Sequence, residues 1–304
     1  MPVSTSDVIV VSSVPDLRVF LSSIPPSSTL YFDLEGNRLS RHGTITLITI
    51  LVHPHDVLWL IDVIAIGKGT FTVALSDGRS LKSILEDPDI PKYIWDVRND
   101  ADALWALYQV GIKGVTDIQL LENVSRAGDK TYVHGLDKTV QSDLKLGFME
   151  LHRWMRTKRE VKTLMATDIF STRPMDSKTT QYCVNDVIHL PALHALYLKG
   201  IGRDSLLRVK EESARRVDEA HSPGYEPLSR NKTLGPWGSG IGKRPTFEDV
   251  LEELEDQRID RFAAEIFGHD DFLSYYSYDD EGGTNAADGA FYPEVFDSCW
   301  DKSL

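Results

Sequence analysis

Cysteine is scarce in this chain of 304 residues: only Cys183 and Cys299 occur, and they lie far apart. Neither has the short spacing to other ligands that a zinc site needs, and two distant cysteines make no disulfide framework. So few cysteines are typical of a reducing compartment. No stretch approaches the roughly 18 unbroken apolar residues of a membrane span. The first apolar run has no basic residue before it, which argues against a signal peptide. We therefore expect an intracellular protein of the cytoplasm or nucleus, with no membrane segment.

Positive charge is also in short supply, with 33 Lys and Arg against 46 Asp and Glu. The imbalance is local, because residues 245–304 hold 17 acidic and 3 basic residues. The first 244 residues hold 29 acidic and 30 basic residues and are close to neutral. The net charge of -13 therefore does not count against a polyanionic substrate of the main domain.

Composition divides the chain into four parts. Residues 1–27 lead into a main α/β domain at 28–222, a Gly/Pro-rich linker or strap follows at 223–246, and an acidic extension occupies 247–304. Three interpretations of the extension stay open. It is a solubilising or protein-binding appendage, its helical pattern at 247–267 packs back on the domain, or its polyanionic character competes with the substrate. A helical or disordered tail fits all three.

Short β-branched runs alternate with helical patterns in the first 220 residues. Strands are predicted at residues 8–11, 28–34, 44–52, 57–63, 93–95 and 115–118. Helices are predicted at 81–85, 100–110, 136–167, 178–198 and 206–220. The strands from 28 to 63 have short connections and indicate an antiparallel meander, and strand–helix repeats follow. This order predicts an α/β sheet of mixed direction.

Two carboxylates lie on one face of the second predicted strand. Side chains alternate along a strand, so Asp33 and Glu35 share a face while Phe32 and Leu34 point to the other. The plain interpretation is a solvated strand end. Two carboxylates on a core strand repel each other, however, unless a cation lies between them.

Two further acidic positions belong to helical patterns. Asp100 begins a predicted helix, where Asn99 or Asp100 would serve as an ordinary N-cap, and Asp96 and Asp102 compete with it as functional candidates. Tyr182 and Asp186 are four residues apart on a predicted helix and therefore share a face. Such a pair is common on helix surfaces, but a hydroxyl beside a metal-binding carboxylate can also orient a water molecule.

Taken in order, these motifs resemble the DEDD superfamily of 3′-5′ exonucleases, in its tyrosine-containing (DEDDy) branch near ribonuclease D. The residues that carry the resemblance are Phe32-Asp33-Leu34-Glu35-Gly36, Arg98-Asn99-Asp100, Gly135-Leu136, Arg173-Pro174 and Tyr182-x-x-x-Asp186-Val187. The similarity covers about residues 28–200. Within the superfamily the chain looks most similar to eukaryotic 3′-5′ exonuclease domain-containing proteins. Trp95 stands where relatives often have histidine.

The resemblance implies an RNase H-like fold, with a mixed sheet of about five strands flanked by helices. It also implies two Mg²⁺ or Mn²⁺ ions held by Asp33, Glu35, Asp100 and Asp186, since carboxylates select hard cations. Tyr182 would orient the attacking water. The expected reaction is hydrolysis of single-stranded nucleic acid from the 3′ end to 5′-nucleotides, with RNA favoured over DNA.

A basic run adds candidate substrate contacts. The run that is predicted to follow a phosphate backbone comprises His152, Arg153, Arg156, Lys158, Arg159 and Lys162, although a solvated helix face explains the pattern equally well. A competing function is a nucleic-acid-binding scaffold of the same fold with weak or no catalysis. The complete set of Asp33, Glu35, Asp100, Tyr182 and Asp186 favours the enzyme.

Overall fold

The apolar runs of the first 117 residues form one mixed sheet with the strand order β1-β4-β3-β2-β5-β6. The structure, a computed structural model, describes residues 8–25 and 27–238. Its strands are β1 (Val8–Val11), β2 (Thr29–Glu35), β3 (Leu47–His53), β4 (Val57–Asp62), β5 (Lys92–Ile94) and β6 (Val115–Asp117). Predicted features beyond residue 238, including the end of the strap and the acidic extension, lie outside the described residues.

Strand directions confirm the predicted meander and the mixed sheet. β2, β3 and β4 pair antiparallel in chain order. β5 pairs parallel with both β2 and β6, and β1 pairs parallel with β4. The resemblance implied about five strands; the sheet has six, because β1 extends it beyond β4.

Helices cover both faces of this sheet. They are α1 (Val14–Ser23), α2 (Val63–Ile66), α3 (Gly69–Thr72), α4 (Leu81–Glu86), α5 (Arg98–Tyr108), α6 (Ile118–Ser125), α7 (Leu136–Asp143), α8 (Phe148–Leu164), α9 (Ser177–Ile188), α10 (Leu190–Leu198) and α11 (Arg203–His221). Within the described residues, no helix is both long and apolar enough to cross a bilayer.

Two predicted helices are each divided in two. The helix expected over 136–167 is interrupted at 144–147, where Gly147 caps the start of α8. The helix expected over 178–198 ends at Ile188, and the next one begins at Leu190 with Pro191 in its first turn. Proline lacks the N–H that a continuous helix would need, whereas it is well tolerated in a first turn. Helical periodicity continues through both breaks, so it cannot reveal them.

β2 is the strand that positions the carboxylates. Phe32 and Leu34 enter the larger hydrophobic core with Leu30, whereas Tyr31 belongs to the core on the other face. The predicted alternation is therefore confirmed. Asp33 and Glu35 are on the Tyr31 face, against which α9 packs.

Gly36 closes β2 by close backbone contact. A Cβ at this position would lie 1.8 Å from the carbonyl oxygen of Thr44, a separation that only displacement of the backbone can relieve. We expect Gly36→Ala to lower the free energy of unfolding by about 1–3 kcal/mol, the usual cost of overpacking. Urea unfolding would measure this change. Gly128→Ala is the control, because nothing lies within 4 Å of its added Cβ. Equal stability of the two variants would contradict the close contact.

Candidate active site

Three carboxylates converge where α9 crosses β2. One oxygen from each of Asp33, Glu35 and Asp186 lies within 4.8 Å of the others, and all three side chains are buried. Buried like charges at this separation repel strongly. A cation relieves that repulsion, so the arrangement is suited to binding one.

Asp100 reaches the same strand from α5. Its Oδ1 accepts a hydrogen bond from the Leu34 backbone N–H at 3.2 Å, between the two acidic residues of β2. The expectation that Asn99 or Asp100 caps this helix is wrong. The helix begins at Arg98, its N-cap is Val97, and no side chain caps it. Asp100 is fully buried within the first turn, so helix capping does not explain it.

The competing carboxylates bind arginines instead. Asp96 forms a bidentate ion pair with Arg98, in which Nε and Nη2 donate to the two carboxylate oxygens at 2.6 and 2.9 Å. Burial alone would raise the pKa of Asp96, but the guanidinium of Arg98 holds that pKa far below its usual value. Asp102 accepts from both the backbone N–H and the Nε of Arg41, each at 2.7 Å. Of the three aspartates of this motif, Asp100 is the one bonded to β2.

A buried network fixes the loop before Asp100. The carboxylate of Asp117, at the end of β6, accepts from the backbone N–H groups of Asp96 and Val97 at 3.0 and 3.1 Å. Arg216 of α11 donates to the same carboxylate at 2.7 Å. Asp96 has a positive φ of 59°, a left-handed conformation that is uncommon for non-glycine residues but more frequent for Asp than for most of them. Through Arg216, α11 therefore stabilises the loop that precedes Asp100.

The described part of the strap also contacts this motif. Tyr225 Oη and Lys232 Nζ both donate to Asn99 Oδ1 at 2.7 Å. Leu234 forms an isolated bridge with Tyr132, and Gly235 donates to the Thr131 carbonyl at 2.7 Å. Up to residue 238 this segment is packed on the domain, adjacent to Asp100.

Lys158, which the sequence predicts only as a member of the basic run, is a residue of the acidic site. Its ammonium contacts Asp186 Oδ1, lies 3.6 Å from Asp137 Oδ1 and donates to the Tyr182 hydroxyl at 3.3 Å. The basic run that contains it is typical of a helix surface. A signal exists all the same, because Lys158 falls four residues after Trp154 and three before Val161. Those two residues are the other buried members of α8, so a lysine occupies its core-facing stripe.

Burial is the main cause of the pKa shifts of Asp186 and Cys183, two neighbouring residues of α9. It raises the pKa of the Asp186 carboxyl, Lys158 opposes this rise, and the negative charge of Asp33 adds to it. Burial also raises the pKa of the Cys183 thiol, which lies near the charges of Glu35 and Asp186. Both effects identify a site where negative charge is crowded and poorly hydrated.

The remaining basic candidates lie on the outer side of α8. Arg153, Arg156, Arg159 and Lys162 are exposed. Arg156 donates to Glu160 at 2.7 Å, and Lys178 contacts the same carboxylate. A phosphate group would have to compete with Glu160 for Arg156. The substrate-binding role of these residues stays a prediction.

Trp95 is a buried side chain of the core beside the site. It belongs to the same hydrophobic cluster as Trp154, whose Nε1 donates to the Asn185 carbonyl at 3.2 Å. Among the described residues, Trp95 Nε1 has no hydrogen-bond partner. At this position the indole fills space in the core.

The donor set fits hard divalent cations. All its members are carboxylates, which select Mg²⁺ or Mn²⁺ over zinc. Asp186 Oδ1 is buried and contacts the ammonium of Lys158. A carboxylate oxygen has two lone pairs, so one contact with Lys158 leaves it able to bind a second cation.

Comparison with known proteins gives the same assignment. A family model described as 3′-5′ exonuclease matches residues 8–198, more than half of the chain. A search of curated proteins by sequence found no match.

Solved structures share the fold. Trypanosoma brucei RNase D in complex with RNA U12 aligns with a TM-score of 0.59 and 20% identity, covering 76% of this chain and 80% of that one. Escherichia coli RNase D aligns with a TM-score of 0.53 and 18% identity, covering 70% and 50%. The catalytic core of RRP6 from Trypanosoma brucei aligns with a TM-score of 0.52 and 18% identity, covering 85% and 64%. The match to the family model places this chain in the 3′-5′ exonuclease family, whose members hydrolyse phosphodiester bonds in nucleic acid, and its fold is similar to that of RNase D.

Proposed function

We propose that this chain is a divalent-cation-dependent exonuclease that releases 5′-nucleotides from single-stranded 3′ ends, with RNA favoured over DNA. The convergence of the buried Asp33, Glu35 and Asp186 carboxylates within 4.8 Å carries the proposal. The ribonuclease D structure described with bound RNA supports the preference for RNA.

Four carboxylates would hold the cations. Asp33, Glu35 and Asp186 offer oxygens to one shared position, and Asp100 approaches from the first turn of α5. Bound as a pair, Mg²⁺ or Mn²⁺ ions would supply Lewis-acid activation of water and neutralise the leaving oxygen. All four residues lie on regular elements of the core, which keeps their oxygens in position without a substrate.

In this proposal Tyr182 orients the attacking water. Lys158 donates to its phenol oxygen, so the phenol hydrogen is the group that Tyr182 offers to a water molecule. The ring contacts Lys158, whose ammonium lies 4.3 Å from its centroid, and Phe170, whose ring centroid is 5.7 Å away. A side chain constrained by two such neighbours suits a role that depends on direction.

The competing function is a scaffold that binds nucleic acid without cleaving it. The scaffold does not need the acidic residues, whereas the enzyme needs all of them. Each of the five residues is present and buried at the junction of β2, α5 and α9. This complete set favours the enzyme.

The test uses single-stranded RNA and DNA of the same sequence, labelled at either end, with Mg²⁺, Mn²⁺ or EDTA. We expect 5′-labelled RNA to shorten progressively, 3′-labelled RNA to release a labelled 5′-nucleotide at once, DNA to react more slowly, and EDTA to abolish every reaction. Binding without cleavage in either metal would support the scaffold. Cleavage in EDTA would overturn the metal dependence.

A further inference from the structure

The acidic site contains its own cation. Lys158 is 5% exposed, and its ammonium contacts Asp186 while lying 3.6 Å from Asp137. Asp137 is not one of the five residues of the exonuclease motifs. Taking an ammonium out of water costs several kcal/mol, so the buried Lys158 must be compensated by its contacts with the carboxylates around it.

We propose that Lys158 is the internal counter-ion of the metal centre, and that by sharing Asp186 with an incoming divalent cation it weakens the binding of that cation. The inference rests on the proposed metal centre. It concerns a residue outside the five exonuclease-motif residues, and it assigns to that residue an effect on the affinity of the centre for metal.

The contacts of Lys158 argue for this role. Asp33, Glu35 and Asp186 place three carboxylates within 4.8 Å, and one ammonium offsets part of their repulsion before any metal binds. Lys158 reaches Asp186 Oδ1, one of the oxygens available to a cation. Two positive charges drawn to the same carboxylate oppose each other.

Asp137 and Tyr182 hold the ammonium in place. The Asp137 carboxylate is on α7, and Tyr182 is on α9, so Lys158 is held from two neighbouring helices. Its ring contact with Tyr182, at 4.3 Å, adds a cation–π attraction. These partners retain Lys158 beside the site whether or not Asp186 binds metal.

Titration calorimetry of the full chain with Mn²⁺, without nucleic acid, tests the proposal. Lys158→Met keeps the length of the side chain and removes its charge, so we expect Mn²⁺ to bind about tenfold more tightly or better. Lys158→Arg keeps the charge and should bind Mn²⁺ nearly as wild type does. Lys210→Met, the same change at an exposed position on α11, is the matched control and should leave the affinity unchanged.

Thermal unfolding gives a second readout. In EDTA we expect Lys158→Met to unfold at a lower temperature than wild type, because its carboxylates have lost their counter-ion. Added Mn²⁺ should raise its unfolding temperature by more than it raises that of wild type.

Lys158→Gln keeps the test decisive if Lys158→Met does not fold. It also removes the positive charge but keeps a polar group beside Asp137 and Tyr182, so Mn²⁺ should again bind more tightly than to wild type. Unchanged or weaker Mn²⁺ affinity in Lys158→Met, or in Lys158→Gln where only that variant folds, would overturn the counter-ion role. Absence of Mn²⁺ binding by wild type would instead overturn the proposed metal centre.

Discussion

Asp33→Asn will lower the exonuclease rate about a thousandfold or more, while the protein stays folded. Asp33 contributes an oxygen to the cluster with Glu35 and Asp186, and the amide keeps its shape but removes the negative charge. Loss of one preorganised electrostatic contact at a reacting centre costs about a hundred- to a thousandfold, and loss of a shared metal ligand costs at least as much. The rate is measured with 5′-labelled single-stranded RNA in Mg²⁺.

Stability distinguishes a chemical defect from a folding defect. Removing one of several crowded carboxylates relieves repulsion, so Asp33→Asn should unfold in EDTA at a temperature no lower than wild type. Asp218→Asn, the same change at an exposed position on α11, should leave both rate and stability unchanged. A rate close to wild type in Asp33→Asn would remove Asp33 from the catalytic assignment.

The sheet is predictable because its strands carry strong local signals. The β-branched runs at 44–52 and 57–63 correspond to β3 and β4 with small shifts of their ends. Alternation along β2 is enough to place Asp33 and Glu35 on one face of the strand. The resemblance then supplies the chain-distant partners, Asp100 and Asp186. Local periodicity cannot show that residues 33 and 186 meet.

The interior of the site is less predictable, because it depends on contacts between helices. Lys158 lies among the arginines of a basic run, although its spacing to Trp154 and Val161 marks a core-facing position. Aspartate is a common helix N-cap, yet the helix begins two residues before Asp100, and the Asp100 carboxylate accepts a hydrogen bond from the Leu34 backbone N–H. In both cases a tertiary contact, absent from any local window, decides the role of the residue.

The network around Arg216 shows how a distant helix supports the acidic site. Arg216 is 2% exposed and donates to Asp117 at 2.7 Å and to Gln119 Oε1 at 3.0 Å. Asp117 is fully buried and in turn holds the backbone of Asp96 and Val97. Neither Arg216 nor Asp117 belongs to the exonuclease motifs, but both hold the backbone that leads into the Asp100 helix.

Arg216→Met will lower the free energy of unfolding by about 3–5 kcal/mol, the cost of leaving one partner of a buried ion pair uncompensated. The backbone donors to Asp117 remain and place the expected value near the lower end of that range. Urea unfolding followed by circular dichroism measures it. Arg215→Met is the matched control. The neighbouring arginine has a side chain that is 59% exposed and pairs with Glu212 and Glu219, and such surface pairs contribute about 1 kcal/mol or less.

Activity adds a second expectation for the same variant. Where Arg216→Met is still folded, the loop from Asp96 to Val97 is held by a carboxylate that has lost its cation, so Asp100 is less firmly positioned. We therefore expect the exonuclease rate to fall by more than the folded fraction accounts for, whereas Arg215→Met keeps the wild-type rate. Equal stabilities of the two variants would contradict the buried pair. A normal rate per folded molecule in Arg216→Met would show that the network supports the fold without positioning the site.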